Sequence, residues 1–158
     1  MVPFVEVNPK GGKMSTIDAV RAKVQRILTQ HGRVEVDKDG NFILRGGSAV
    51  LWISVDKGFG DDGTLVQFRC PLIRNVKLVP SVYEWVATEG QYFNIGSCSV
   101  FKADGESVGS IWFRYSIIGD DIDESEVMAG TYATLSTCDD LDNMLKSKFG
   151  GELIGNED

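Results

Sequence analysis

The spacing of the apolar residues changes along this chain, and that change limits the available folds more than any single residue does. Ile17, Val20, Val24, Ile27, Leu28 and His31 recur at three- and four-residue intervals, which lines one face of a helix. From Arg33 the interval becomes two: Val34 and Val36 alternate with Arg33, Glu35 and Asp37, the pattern of a strand with one buried face. Helical spacing returns after Ile122, where Val127, Met128, Thr131, Leu135, Cys138, Leu141, Met144 and Leu145 carry it toward Gly150 and Gly151.

Punctuation residues divide the middle of the chain. Ser15 and Asp18 resemble a capping box for the first helix, and Gly32 closes it. The turn Lys38-Asp39-Gly40-Asn41 leads into Phe42 and Leu44, and Gly46-Gly47 turns the chain into a third strand, Ser48 to Val55. A fourth strand starts at Thr64, and Pro71 is expected to stop or distort it. Ser81 and Glu84 form a second capping box for a short helix, Val82 to Glu89. Tyr92 to Phe101 and Ser107 to Ile118 make a further hairpin around Ala103-Asp104-Gly105-Glu106. Asp123 and Glu126 form a third box, with Ile122 placed to staple onto Val127.

The fold class that follows is α+β: an antiparallel sheet with the first and last helices packed on one face, plus a short middle helix. The alternation puts Trp52, Gln67, Arg69, Trp112 and Arg114 on the opposite face. Large amphipathic side chains of this kind suit recognition better than they suit water, so these five are the peptide-binding candidates. The competing reading is that the middle helix or a second subunit covers them.

A length of 158 residues fits one domain, and 42% hydrophobic with 25% charged residues fits a globular one. The expected division is a flexible arm over 1–14, a single domain over 15–151 and a disordered tail over 152–158. Met1 to Lys13 reads equally as a mobile arm, an added strand or an over-long start. A net charge of −7 with scattered Lys and Arg argues against nucleic acid as a partner and leaves a basic peptide compatible. Cys70, Cys98 and Cys138 are odd in number and lack C-x-x-C spacing, which suits core fillers rather than disulfides or zinc. No apolar run reaches membrane-spanning length and no signal peptide opens the chain; the expectation is a cytoplasmic protein with no membrane partner.

Several stretches imitate chemical motifs. Gly58 to Gly63 matches G-x-G-x-x-G, but Thr64 opens a strand, not the helix that holds a pyrophosphate, and Asp61 and Asp62 repel phosphate. Gly105 to Gly109 matches G-x-S-x-G, yet Ser107 also opens a strand and the only histidine, His31, lies upstream. His31 is expected to cap carbonyls or pack at its helix end. Asp37, Asp39 and Asn41 imitate a calcium loop with Phe42 where glycine is needed, and Gly11 to Lys13 lacks the rest of a P-loop. The acids from Asp120 to Glu126 suit a helix N-terminus better than a metal. No cofactor, metal site or catalytic residue is expected, so the chain reads as no enzyme.

The order of elements resembles the type III secretion chaperone fold and the related YbjN-like domains. The likeness is carried by VPSVYEWVATEGQYFNIGSCSVFKADGESVGSIWFRYSIIGDDIDESEV from Val79, similar to the family's middle helix, hairpin and acidic lead-in to the last helix, and by STCDDLDNMLKSKFGG, with Asp140 and Asp142 in its spaced-aspartate pattern. The resemblance implies a non-catalytic homodimer that binds segments of client proteins. It also implies Tyr83, Trp85, Val86 and Phe93 as dimer-interface candidates. The alternative is a regulatory or structural subunit of a protein complex, as some YbjN-like members are; a small-molecule enzyme is the third reading.

Overall fold

The computed structural model describes residues 16–155. The arm over 1–14, the Ser15 half of the first capping box and the last three residues lie outside that range. Within it, α1 (Thr16–His31) is followed by β1 (Glu35–Val36), β2 (Phe42–Gly46), β3 (Ala49–Lys57), β4 (Thr64–Lys77), α2 (Pro80–Ala87), β5 (Ser97–Phe101), β6 (Val108–Ile118) and α3 (Glu124–Phe149). The strands form one antiparallel sheet in the order β1-β2-β3-β4-β6-β5. The fold is therefore α+β, with helices at both ends and a short one between.

Front-face residues build a core in two joined parts. Val20, Val24, Ile27 and Leu28 of α1 meet Leu51, Ile53, Val66 and Phe68 of the sheet in one part, together with Val127 of α3. In the other, Cys138, Leu141 and Leu145 of α3 meet Cys70, Ile73, Ile111 and Phe113. Leu135 and Tyr115 pack against both. Close approach of α3 to the sheet depends on Gly130, where a Cβ would come within 2.7 Å of the Phe68 ring. The middle helix joins the same face, since Val82, Trp85 and Val86 are buried with the α3 and β4 residues. It does not cover the reverse face, which corrects one of the two competing readings.

The start of α3 follows its sequence signal. The Asp123 carboxylate accepts from the Glu126 N–H at 2.8 Å and the Glu126 carboxylate accepts from the Asp123 N–H at 2.9 Å. Ile122 and Val127 are buried in the same cluster, so the staple forms too. Ser81 and Glu84 behave differently: α2 begins two residues earlier, with Val79 as N-cap and no side-chain cap bond. Pro80 takes the first helical position, where its fixed φ fits and its missing N–H costs nothing.

Pro71 does not stop β4. The β3–β4 ladder ends at Trp52↔Arg69, so Pro71 has no β3 donor role to fill, and the β4–β6 register shifts between Pro71 and Ile73. The stretch of β4 beyond β3 then acquires another neighbour. Arg74 and Glu152 exchange N–H···O=C bonds of 3.0 and 2.9 Å, and Leu153 packs on the core. The expected fraying from Glu152 is thus not seen through Gly155. The first strand is shorter than its alternation suggests, two residues with Val36 51% exposed, because it sits at the sheet edge with no helix over it.

All three cysteines are free and buried. Burial pushes the Cys98 thiol up to about 12, and a hydrogen bond with Cys70 together with burial holds Cys138 above the ordinary thiol range. All three side chains fill the core beneath α3, the role the spacing suited.

Candidate functional site: the reverse face of the sheet

Strand register decides which side chains share the reverse face. Ile43, Trp52, Arg69, Arg114 and Ser97 lie in one row across β2, β3, β4, β6 and β5. Ser54, Gln67 and Ser116 form the next row on one side, and Pro71, Trp112 and Ser99 the next on the other. All five predicted residues of this face are therefore neighbours, and none of them belongs to either core cluster.

The face has a polar half and an aromatic half. In the polar half the Ser54 hydroxyl donates to Asp56 Oδ2 at 2.6 Å and accepts from Arg69 Nη2 at 2.9 Å, while Gln67 Nε2 donates to the same carboxylate at 2.7 Å. In the aromatic half Phe101 stands edge-on to Trp112 at 5.5 Å, and the Arg114 guanidinium lies 5.7 Å from the Phe101 ring centre. Trp52 and Trp112 are half-buried and Phe101 is 47% exposed. Beside Trp112 the surface sinks into a depression of about 480 Å³ whose lining includes Asn75, Phe101, Lys102 and Ser110.

Three buried polar atoms on this face, Arg69 Nε, Trp112 Nε1 and Ser99 Oγ, have no hydrogen-bond partner among the described residues. A buried donor left unmade costs about 1–3 kcal/mol, so such groups call for a partner. Phe101 and Ser99 were not among the predicted site residues. The signal for them was present in the alternation of Ser97, Ser99 and Phe101, which share a face with Trp112 once β5 pairs with β6. Val50 also belongs here by alternation but is fully closed off, at 2% exposure.

The four dimer-interface candidates are placed apart from one another in exposure. Trp85 and Val86 are buried, Trp85 edge-on to Phe149 at 6.3 Å. Phe93 packs edge-on to Phe113 at 5.3 Å, and Tyr83 is 45% exposed.

Other singled-out groups have structural partners. His31 neither packs nor caps: it is exposed and bonds Glu124 at 2.6 Å, tying the end of α1 to the start of α3. Gly58 to Gly63 form a closed β3–β4 loop, with Gly58 N–H donating to the Gly63 carbonyl at 2.7 Å. Of the spaced aspartates, Asp140 is exposed and Asp142 is buried. Asp142 accepts from the Ser48 hydroxyl at 2.7 Å, and Asp139 accepts from the Ser48 N–H at 2.7 Å. Together they pin α3 to the β2–β3 turn. Burial pushes the Asp142 carboxyl above the usual range, against the opposing pull of Ser48. Among the described residues no helix is long and apolar enough to cross a membrane.

No curated protein matches the chain significantly. Among solved structures it is similar to the Yersinia pestis type III secretion chaperone SycH, in a complex with a stable fragment of YscM2, at 5% identity over 75% of this chain and 96% of that one, with a TM-score of 0.48. A family model described as "T3SS (YopN, CesT) and YbjN peptide-binding chaperone 1" matches residues 16–156. With nearly the whole chain covered, the protein belongs to this family of type III secretion and YbjN peptide-binding chaperones.

Proposed function

We propose that the protein is a non-catalytic chaperone or adaptor that captures an extended segment of a client protein on the face of its sheet opposite the described helices. The observation that carries this reading is the conjunction there of Trp52, Trp112 and Phe101 with three buried polar atoms that lack partners among the described residues. Aromatic rings offer contact area at low entropic cost, and a bound backbone or side chain supplies the missing hydrogen bonds. Membership of a peptide-binding chaperone family agrees with it.

In this reading the chain works as a cytoplasmic homodimer. Tyr83 on α2 and Tyr92 just after it, 45% and 85% exposed, offer apolar surface next to the buried Trp85 and Val86. Light scattering at working concentration tests this: twice the chain mass is expected, and a monomer removes the dimer from the proposal.

The test of client capture is a pull-down from native cytoplasm with wild-type protein and a W52A/W112A variant. The variant is expected to keep its circular dichroism spectrum and lose the captured clients. Unchanged capture removes this face from the proposal. A protein that is monodisperse and takes no peptide from a diverse library points instead to a regulatory or structural subunit whose face is permanently occupied.

A further inference from the structure

The protein carries a net charge of −7, yet the centre of its reverse face is cationic. Arg69 and Arg114 are direct cross-strand partners on β4 and β6. Like charges in that position repel. Neither guanidinium has an ion-pair partner among the described residues: Arg69 bonds only the Ser54 hydroxyl and Arg114 lies over the Phe101 ring. On the same face the Asp56 carboxylate is occupied by Ser54 and Gln67. Arg45, the other arginine of the face, already has Glu35 at 3.9 Å. Arg69 Nε and Trp112 Nε1 can only donate, and both are buried without an acceptor among the described residues. Lys102 adds a further cation at the lip of the depression beside Trp112.

We infer that the reverse face selects acidic segments: an extended peptide with a carboxylate side chain on Arg69 and Arg114 and an apolar or aromatic side chain, two residues away, in the depression beside Trp112 and Phe101. The inference rests on the peptide-capture reading and names the chemistry that reading leaves open. Its geometry follows from the strand itself. Trp112 and Arg114 are two residues apart on β6, about 6–7 Å, and alternate residues of an extended peptide repeat at the same distance on one side. The carboxylate supplies the anionic acceptor that the paired guanidiniums lack among the described residues, and its charge offsets their mutual repulsion. The overall negative charge of the protein slows encounter with such a segment, so the selectivity resides in the bound state.

The experiment uses the full chain and three fluorescently labelled peptides with Gly-Ser flanks and the cores Asp–Thr–Phe, Asn–Thr–Phe and Lys–Thr–Phe, read by anisotropy. The Asp peptide is expected to bind roughly tenfold or more tighter than its Asn counterpart, with the Lys peptide weakest and the gap narrowing as salt rises. An R69Q/R114Q variant is expected to bind Asp and Asn peptides alike; should it not fold, the peptide series on wild-type protein decides alone. Equal binding of the Asp and Asn peptides, or a preference for Lys, overturns acid selectivity and leaves peptide capture standing. Failure of all three to bind overturns both.

Discussion

Arg69 and Arg114 stand directly opposite one another across the β4–β6 ladder, and no carboxylate of the described residues pairs with either. Two cations at adjacent cross-strand positions cost stability, and on the acid-selectivity inference they suit the surface to an anion. Register sets the arrangement. A one-residue slip of β6 against β4 would send Arg114 to the core side and separate the pair.

The repulsion is directly measurable. R114E puts an acid opposite Arg69 and replaces a like-charge pair by an attractive one, a gain of about 0.5–1 kcal/mol. Loss of the cation–π contact with Phe101 takes back about 0.5 kcal/mol. Denaturant titration should therefore show a midpoint equal to or slightly above wild type. A loss of more than about 1 kcal/mol would show that Arg114 is held by attractions rather than strained by its neighbour.

Gly130 sets the distance between α3 and the sheet. In G130V the new side chain meets the Phe68 ring, which has no room to withdraw because it is fully buried. Overpacking of this kind costs about 1–3 kcal/mol, more than the helix propensity regained on losing glycine. The expected readout is a lower midpoint with α-helical circular dichroism retained at low denaturant. An unchanged midpoint would mean that α3 rides further from β4 than described.

Asp142 gives the fold a defined pH response. Its carboxyl is raised in the folded state by burial, so the unfolded chain ionises first as pH climbs past the ordinary value of 3.8. Over that interval the folded state binds more protons than the unfolded one, and the contribution of Asp142 to stability falls with rising pH until its raised folded value is passed. D142N removes the term. The stability of the variant relative to wild type should rise through that window and then level off. A flat difference, or one that falls, contradicts a raised carboxyl at this position.

Much of this fold was legible in the sequence because it is written in spacing. Alternation over residues such as Ala49, Leu51, Ile53 and Val55 identified strands, and Asp123, Glu126 and Ile122 marked the start of α3 correctly. Errors arose where local signals depended on a distant neighbour. Pro71 looked like a terminator, but the β3–β4 ladder ends before it, at Trp52↔Arg69, so its missing N–H falls where no β3 ladder bond is required. Glu152 looked like a loose tail, but beyond the end of the β3–β4 ladder it bridges to Arg74.

The candidate site was readable by the same logic and incomplete for the same reason. Trp52, Gln67, Arg69, Trp112 and Arg114 were placed on one face by period alone. Phe101 and Ser99 joined them only once β5 was registered against β6. That α2 packs with Cys98 and Phe113 rather than over the reverse face follows from tertiary packing that no local pattern encodes.

The central claim is that a client segment lies on the reverse face. The three tryptophan indole N–H signals in a proton–nitrogen NMR spectrum test it directly, because Trp52 and Trp112 sit on that face and Trp85 is buried on the other side. Titration with the Asp–Thr–Phe peptide should shift the Trp52 and Trp112 signals, the latter most because its indole N–H gains an acceptor, and leave Trp85 in place. A peptide that binds while moving only Trp85, or none of the three, would contradict the claim.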